Sequence, residues 1–135
     1  MTAPRYMLDT NIVSDLIRNP AGKAAARLRA IGDARLTVSI ITAAELRFGA
    51  AKSGSPRLLS RVETILAALD VLPFDVPADA EYAAVRVELE ASGRPIGPND
   101  LLIAAHARSL GTTIVTANAA EFSRVRGLAV ENWLA

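Results

Sequence analysis

The sequence predicts an α/β sandwich built on a mostly parallel sheet, and three observations carry that prediction. Short runs rich in apolar and β-branched residues alternate with stretches of helical periodicity, the order that a parallel sheet with crossover helices requires. No segment recurs at a fixed interval, which removes solenoids and propellers. At 135 residues, with 51% hydrophobic and 21% charged residues, the chain has the size and composition of one globular domain over 1–135.

The elements follow in order. Arg5 to Leu8 is short and apolar, as suits a strand buried on both faces. Asp9 or Thr10 then caps a helix whose stripe is Ile12, Val13, Leu16 and Ile17, and Asn19-Pro20 ends it. Ala21 to Ile31 reads as a second helix with Ala25, Leu28 and Ile31 inward and Lys23, Arg27 and Arg29 outward; Gly32-Asp33 is a turn. Leu36 to Ile40 is the next strand. Thr42 with Glu45 three residues on gives a T-x-x-E capping box for a third helix, with Ala44, Leu46, Phe48 and Ala51 supplying apolar contacts. Ser53-Gly54-Ser55 is a loop, and Pro56 opens a fourth helix carrying Leu58, Leu59, Val62, Ile65, Leu66 and Leu69.

Asp70 to Phe74 reads as a short strand, and its Pro73 places it at an edge or an end. After a turn at Asp75 to Pro77, Ala78 to Ser92 is a helix with Tyr82, Val85 and Leu89 on one stripe and an Arg86–Glu90 pair on another. A loop with two prolines and two glycines, Gly93 to Pro98, leads into a helix from Pro98 to Leu110 that Gly111 ends. Thr112 to Thr116 is a strand, Asn118 to Phe122 a short turn or helix, and Leu128 to Trp133 a last strand.

Composition narrows the function. Fifteen Lys and Arg against fourteen Asp and Glu leave a net charge of +1, which excludes a strongly basic nucleic-acid binder but not nucleic acid as a substrate. There is no Cys, so neither a disulfide framework nor a thiolate metal site, and a reducing cytoplasm fits. No apolar run reaches membrane-spanning length, and the N-terminus lacks the apolar core of a signal peptide.

Three acids stand out by context. Asp9 follows the first strand, Glu45 lies early in the helix after the second, and Asp100 lies in the first turn of the helix after the Gly/Pro loop. Ile103, Ala104 and Ala107 follow Asp100 at +3, +4 and +7, so the acid starts an apolar face, against the usual outward bias of acids. In a parallel sheet the starts of these helices share one edge. Three carboxylates there repel one another unless a hard cation such as Mg²⁺ sits among them. Each acid also has a plain structural explanation: Asp9 as an N-cap, Glu45 as the capping-box partner, Asp100 as an acid favoured by the helix dipole. Their joint placement is what favours a metal site.

Other chemistry is sparse. His106 is the single His, six residues after Asp100 and about 240° round the helix, off the face of the acid, which suits a solvent-side or packing role. One His and no Cys argue against zinc. No G-x-G-x-x-G, G-x-x-x-x-G-K-[ST] or G-x-S-x-G occurs. One Trp, two Tyr and three Phe are few for a base-stacking platform. Arg47, Lys52, Arg57 and Arg61 are available to phosphates but read first as solvated helix positions.

The chain resembles the PIN-domain nucleases, in particular the VapC-type toxins of bacterial toxin–antitoxin pairs. The matching stretches are LDTNIVSDLIR, AAELRFGA, GRPIGPNDLLIAAHA, TIVTANAAEF and the closing LAVENW, in order through nearly the whole chain. The resemblance implies a three-layer α/β/α sandwich and a ribonuclease site dependent on Mg²⁺ or Mn²⁺. By motif position Asp9, Glu45 and Asp100 match the family's acids, with Glu45 ligating directly or through water, and Asn11 and Thr116 match its polar residues around them. Asn118 stands where many PIN domains carry a fourth Asp; an amide is a weaker ligand, so one ion held by Asp9 and Asp100 is the expectation. Asp15 reads as pairing with Arg18, and Glu121 as a surface or outer polar residue. The resemblance further implies an RNA substrate, a cognate antitoxin, and a homodimer, for which the helices from Ala44 to Leu69 offer surfaces.

Two rival functions belong to other classes. A phosphatase with Asp9 as nucleophile usually wants an acid two residues on, where this chain has Asn11. A PIN-like RNA or protein adaptor with little turnover has no need of three separated carboxylates.

Overall fold

The computed structural model describes residues 5–32 and 35–135, so the expected Gly32-Asp33 turn lies partly outside the described residues. The elements are β1 (Arg5–Leu8), α1 (Thr10–Arg18), α2 (Lys23–Ile31), β2 (Arg35–Ser39), α3 (Ile40–Ser53), α4 (Pro56–Ala68), β3 (Asp70–Leu72), α5 (Ala78–Ala91), α6 (Pro98–Leu110), β4 (Thr113–Val115), α7 (Ala119–Phe122) and β5 (Val130–Glu131). The strands form one sheet in the order β3-β2-β1-β4-β5, and every pairing is parallel.

Alternation along the central strands divides the core. Leu8, Val38 and Val115 join the residues of α1 to α4, whereas Met7 and Ile114 join those of α5, α6 and α7. Side chains of one strand thus feed two apolar layers, and the molecule is an α/β/α sandwich. Burial on both faces explains why β1 and β4 read as continuous apolar runs. Pro73 stands just beyond β3, which is both short and at an edge.

The structure corrects the start of α3. Ser39 ends β2 and caps the helix, its hydroxyl accepting from the Ile41 amide at 3.1 Å. Thr42 lies inside the first turn, fully buried, and its Oγ1 has no hydrogen-bond partner among the described residues. The inward face is Thr42, Ala43, Leu46 and Ala50; Ala44, Phe48 and Ala51 face out, with Phe48 66% exposed. The stretch is apolar on nearly every side, so periodicity alone does not select a face. Helix α2 starts at Lys23 rather than Ala21, because Pro20 and Ala21 complete the turn between the helices.

Candidate active site

The strand order places a crevice outside the carboxyl ends of β1 and β4. The chain leaves β1 for β2 on one side while β4 pairs on the other, and ligands of parallel sheets bind where the order reverses in this way. Leu8 pairs with Val115, so Asp9 and Thr116 face each other at that edge, and the Asp9 amide donates to the Val115 carbonyl at 2.8 Å.

Asp9 is 2% exposed and caps α1. Its Oδ1 accepts from the Thr10 amide at 2.8 Å, and its Oδ2 accepts from Thr116 Oγ1 at 2.8 Å and Asn11 Nδ2 at 3.1 Å. The N-cap reading therefore accounts for one oxygen only. Thr116 and Asn11 are themselves braced: Thr116 Oγ1 accepts from the Asn118 amide, and Asn11 Oδ1 from the Ala117 amide, both at 2.9 Å. Burial pushes the Asp9 carboxyl above its ordinary range; the hydrogen bonds from Thr116, Thr10 and Asn11 oppose that shift, and the charge of Glu45 adds to it.

Glu45 is not a capping-box residue, because the cap of α3 is Ser39. Its Oε1 accepts from the Thr10 hydroxyl and its Oε2 from Asn99 Nδ2 at 3.1 Å. Asp100 sits half-buried in the first turn of α6. Its carboxyl is pushed up to about 7, first by burial, then by the charges of Asp9 and Glu121, by a proton shared towards Glu121, and by the charge of Glu45. The structure thus brings Asp9, Glu45 and Asp100 to one edge, close enough to repel.

It adds a fourth carboxylate. Glu121, expected at the surface or in an outer polar role, stands against Asp100, and its Oε1 accepts from the Gly97 amide at 3.0 Å. Fully buried Phe122 pins the short α7 and turns Glu121 towards the Gly/Pro loop. The available sign was an acid one helical turn beyond Asn118. The side chain of Asn118 itself is exposed and makes no hydrogen bond among the described residues; its backbone supports Thr116.

Among the described residues no ion pair reaches any of these four acids, and no three Asp, Glu or His side chains close into a ready-made metal cage. The donor set still fits Mg²⁺ in kind. Mg²⁺ is usually held by one or two carboxylates and keeps several waters, so a full protein cage is not required. Asp9 accepts three hydrogen bonds, and a carboxylate has about four acceptor positions, which leaves one open.

One nearby expectation changes and another narrows to one of its two alternatives. Asp15 does not pair with Arg18: it is buried on α1, Oδ1 accepts from Asn19 Nδ2 at 2.7 Å, and Oδ2 has no partner among the described residues. His106 has the packing role and not the solvent-side one. It is 2% exposed, its Nδ1 lies 2.9 Å from Ser39 Oγ, its ring meets Phe74 edge-on, and burial lowers its pKa. Helix α6 is buried on most of its circumference, so an angle of about 240° from Asp100 does not lead to solvent. Of the basic residues considered for phosphates, Arg47 is committed to Glu63 at 2.9 Å.

Residues 6–128 match the family model of the PIN domain. Over 130 residues the chain is 42% identical to the tRNA(fMet)-specific endonuclease VapC of Shigella flexneri, covering 96% of this chain and 98% of that protein. It is 40% identical to ribonuclease VapC2 of Haemophilus influenzae over 131 residues, with 96% and 98% covered. Its fold superposes with a TM-score of 0.90, at 36% identity, on the crystal structure of VapBC2 from Rickettsia felis bound to a DNA fragment from their promoter, covering 96% of this chain and 98% of that one.

Proposed function

This chain belongs to the PIN-domain family, and from that premise we propose that it is a VapC-type endoribonuclease, the toxin of a toxin–antitoxin pair, acting with Mg²⁺ in the cytoplasm. The observation that supports this best is the group of four carboxylates at the β1/β4 edge with no basic partner among the described residues. Such a group concentrates negative charge that a bound cation would relieve.

Asp9 and Asp100 would hold the ion, with Glu45 acting directly or through water and Glu121 beside Asp100. Bound there, Mg²⁺, or Mn²⁺ in its place, would acidify a water and offset charge on the phosphoryl oxygens. Thr116 and Asn11 fix the Asp9 carboxylate in one orientation. Glu45 keeps a free lone pair on each oxygen and can take the proton of the attacking water. Attack by water leaves a 5′-phosphate and a 3′-hydroxyl and does not involve the 2′-hydroxyl, so the preference for RNA rests on the ribonuclease relatives. The tRNA(fMet) in the Shigella relative's name is the first substrate to test.

The phosphatase alternative gains nothing from the geometry. Asn11, two residues after Asp9, gives its amide to Asp9 and offers no second acid. A cognate antitoxin and a homodimer belong to the proposed reading, and the VapBC relative supports the first. Phe48 on α3 and Leu59 on α4 are exposed within the surface considered for a second copy.

The test is cleavage of total RNA and of tRNA(fMet), with 5′ ends mapped by sequencing. We expect cleavage that excess EDTA stops, and no cleavage by Asp9→Asn or Asp100→Asn despite unchanged circular dichroism. Full activity of either variant, or in EDTA, rejects the mechanism. Failure to co-purify with the product of a neighbouring gene weakens the antitoxin part alone.

A further inference from the structure

Glu45 is held by the chain neighbours of the other two acids. The hydroxyl of Thr10, the residue after Asp9, donates to Glu45 Oε1, and the amide of Asn99, the residue before Asp100, donates to Oε2 at 3.1 Å. These contacts span 35 and 54 positions of sequence and join the starts of α1 and α6 to α3. Glu45 adds to the charge felt by both Asp9 and Asp100, so it is itself repelled by them. With one more rotatable bond than an aspartate, and partly exposed, it is freer to swing away than Asp9 or Asp100.

We propose that Thr10 and Asn99 are positioning residues, a clamp that keeps the Glu45 carboxylate beside Asp9 and Asp100 against their mutual repulsion. Both donors are neutral. A Lys or Arg in either place would hold Glu45 equally well but would cancel the negative charge that attracts a cation. Each oxygen of Glu45 retains a lone pair, so the clamp fixes its direction without blocking it. The catalytic consequence rests on the nuclease reading; the contact itself does not.

The test compares Asn99→Ala, Thr10→Val and Thr10→Ser, each in the wild-type and Glu45→Ala backgrounds, by steady-state RNA cleavage and by calorimetric titration of the full chain with Mn²⁺. Asn99 is exposed and Ala favours helix, so its variant should fold. We expect Asn99→Ala and Thr10→Val to lose about 10- to 100-fold in kcat with KM within about twofold, and to bind Mn²⁺ more weakly. Thr10→Ser, which keeps the hydroxyl, should behave as wild type. Because Glu45→Ala removes the proposed proton acceptor, that background is read on Mn²⁺ affinity, which neither substitution should lower further. Cleavage and Mn²⁺ affinity both unchanged, or affinity losses of equal size in the Glu45→Ala background, overturn the clamp. If the wild type cuts no RNA, the nuclease reading fails, and the Mn²⁺ titrations alone still decide for or against the clamp.

Discussion

At the scale of the residue, Asp9 and Asp100 differ from ordinary surface acids in that folding makes their charge unfavourable. Asp100 goes from an ordinary value of 3.8 to about 7. Between those values the folded chain keeps a proton that the unfolded chain has released, so stability without metal falls as pH rises through that window and levels off above it. Urea denaturation in EDTA from pH 4.5 to 8 should show that fall, and Asp100→Asn should flatten it. The same variant should be more stable than wild type at pH 8 while being inactive; lower stability there would contradict the repulsion. Glu121→Gln removes one of the charges acting on Asp100 and should lower the Asp100 pKa, as read by NMR titration. Thr42 is a separate case. Its buried Oγ1 has no partner among the described residues, and an unsatisfied hydroxyl costs about 1–3 kcal/mol, so Thr42→Val should raise the melting temperature and leave cleavage unchanged.

At the scale of the element, α3 shows how one cap decides the use of a whole helix. Because Ser39 caps it, Glu45 falls in its second turn and is free to reach Thr10 and Asn99. With Thr42 as cap, Glu45 would have turned back to the helix end. Ser39 Oγ also lies 2.9 Å from His106 Nδ1, so one hydroxyl joins α3 to the buried α6. Ser39→Ala should cost about 1 kcal/mol for the cap, with more for the stranded His106, seen as a lower urea midpoint. Helix α6 is placed from its other face as well, where Arg108 bridges to Glu81 at 2.6 Å and Glu88 at 2.9 Å on α5.

At the scale of the whole molecule, the parallel order β3-β2-β1-β4-β5 is what turns separated residues into a site. Among the described residues no helix is long and apolar enough to cross a membrane. A partner that covers the carboxylate edge should stop cleavage and, when present at a hundred times its dissociation constant, raise stability by about 2.7 kcal/mol; a complex that melts no higher than the free chain would argue against it. The sequence by itself determined the class of fold and most elements, because strand burial, proline and glycine stops and helix periodicity are local properties. Gly111, for example, ends α6 with a φ of 64° that suits glycine. It also marked Asp9, Glu45 and Asp100, since an acid at a strand-to-helix edge or heading an apolar face is visible without contacts. Only the tertiary structure decided which residue caps α3, that Asp15 turns to Asn19, that His106 is enclosed, and that Glu121 joins the acids. Each of these depends on which face of a helix meets the sheet. In helices as evenly apolar as α3 and α6, local pattern leaves that face open, and packing across the sheet selects it.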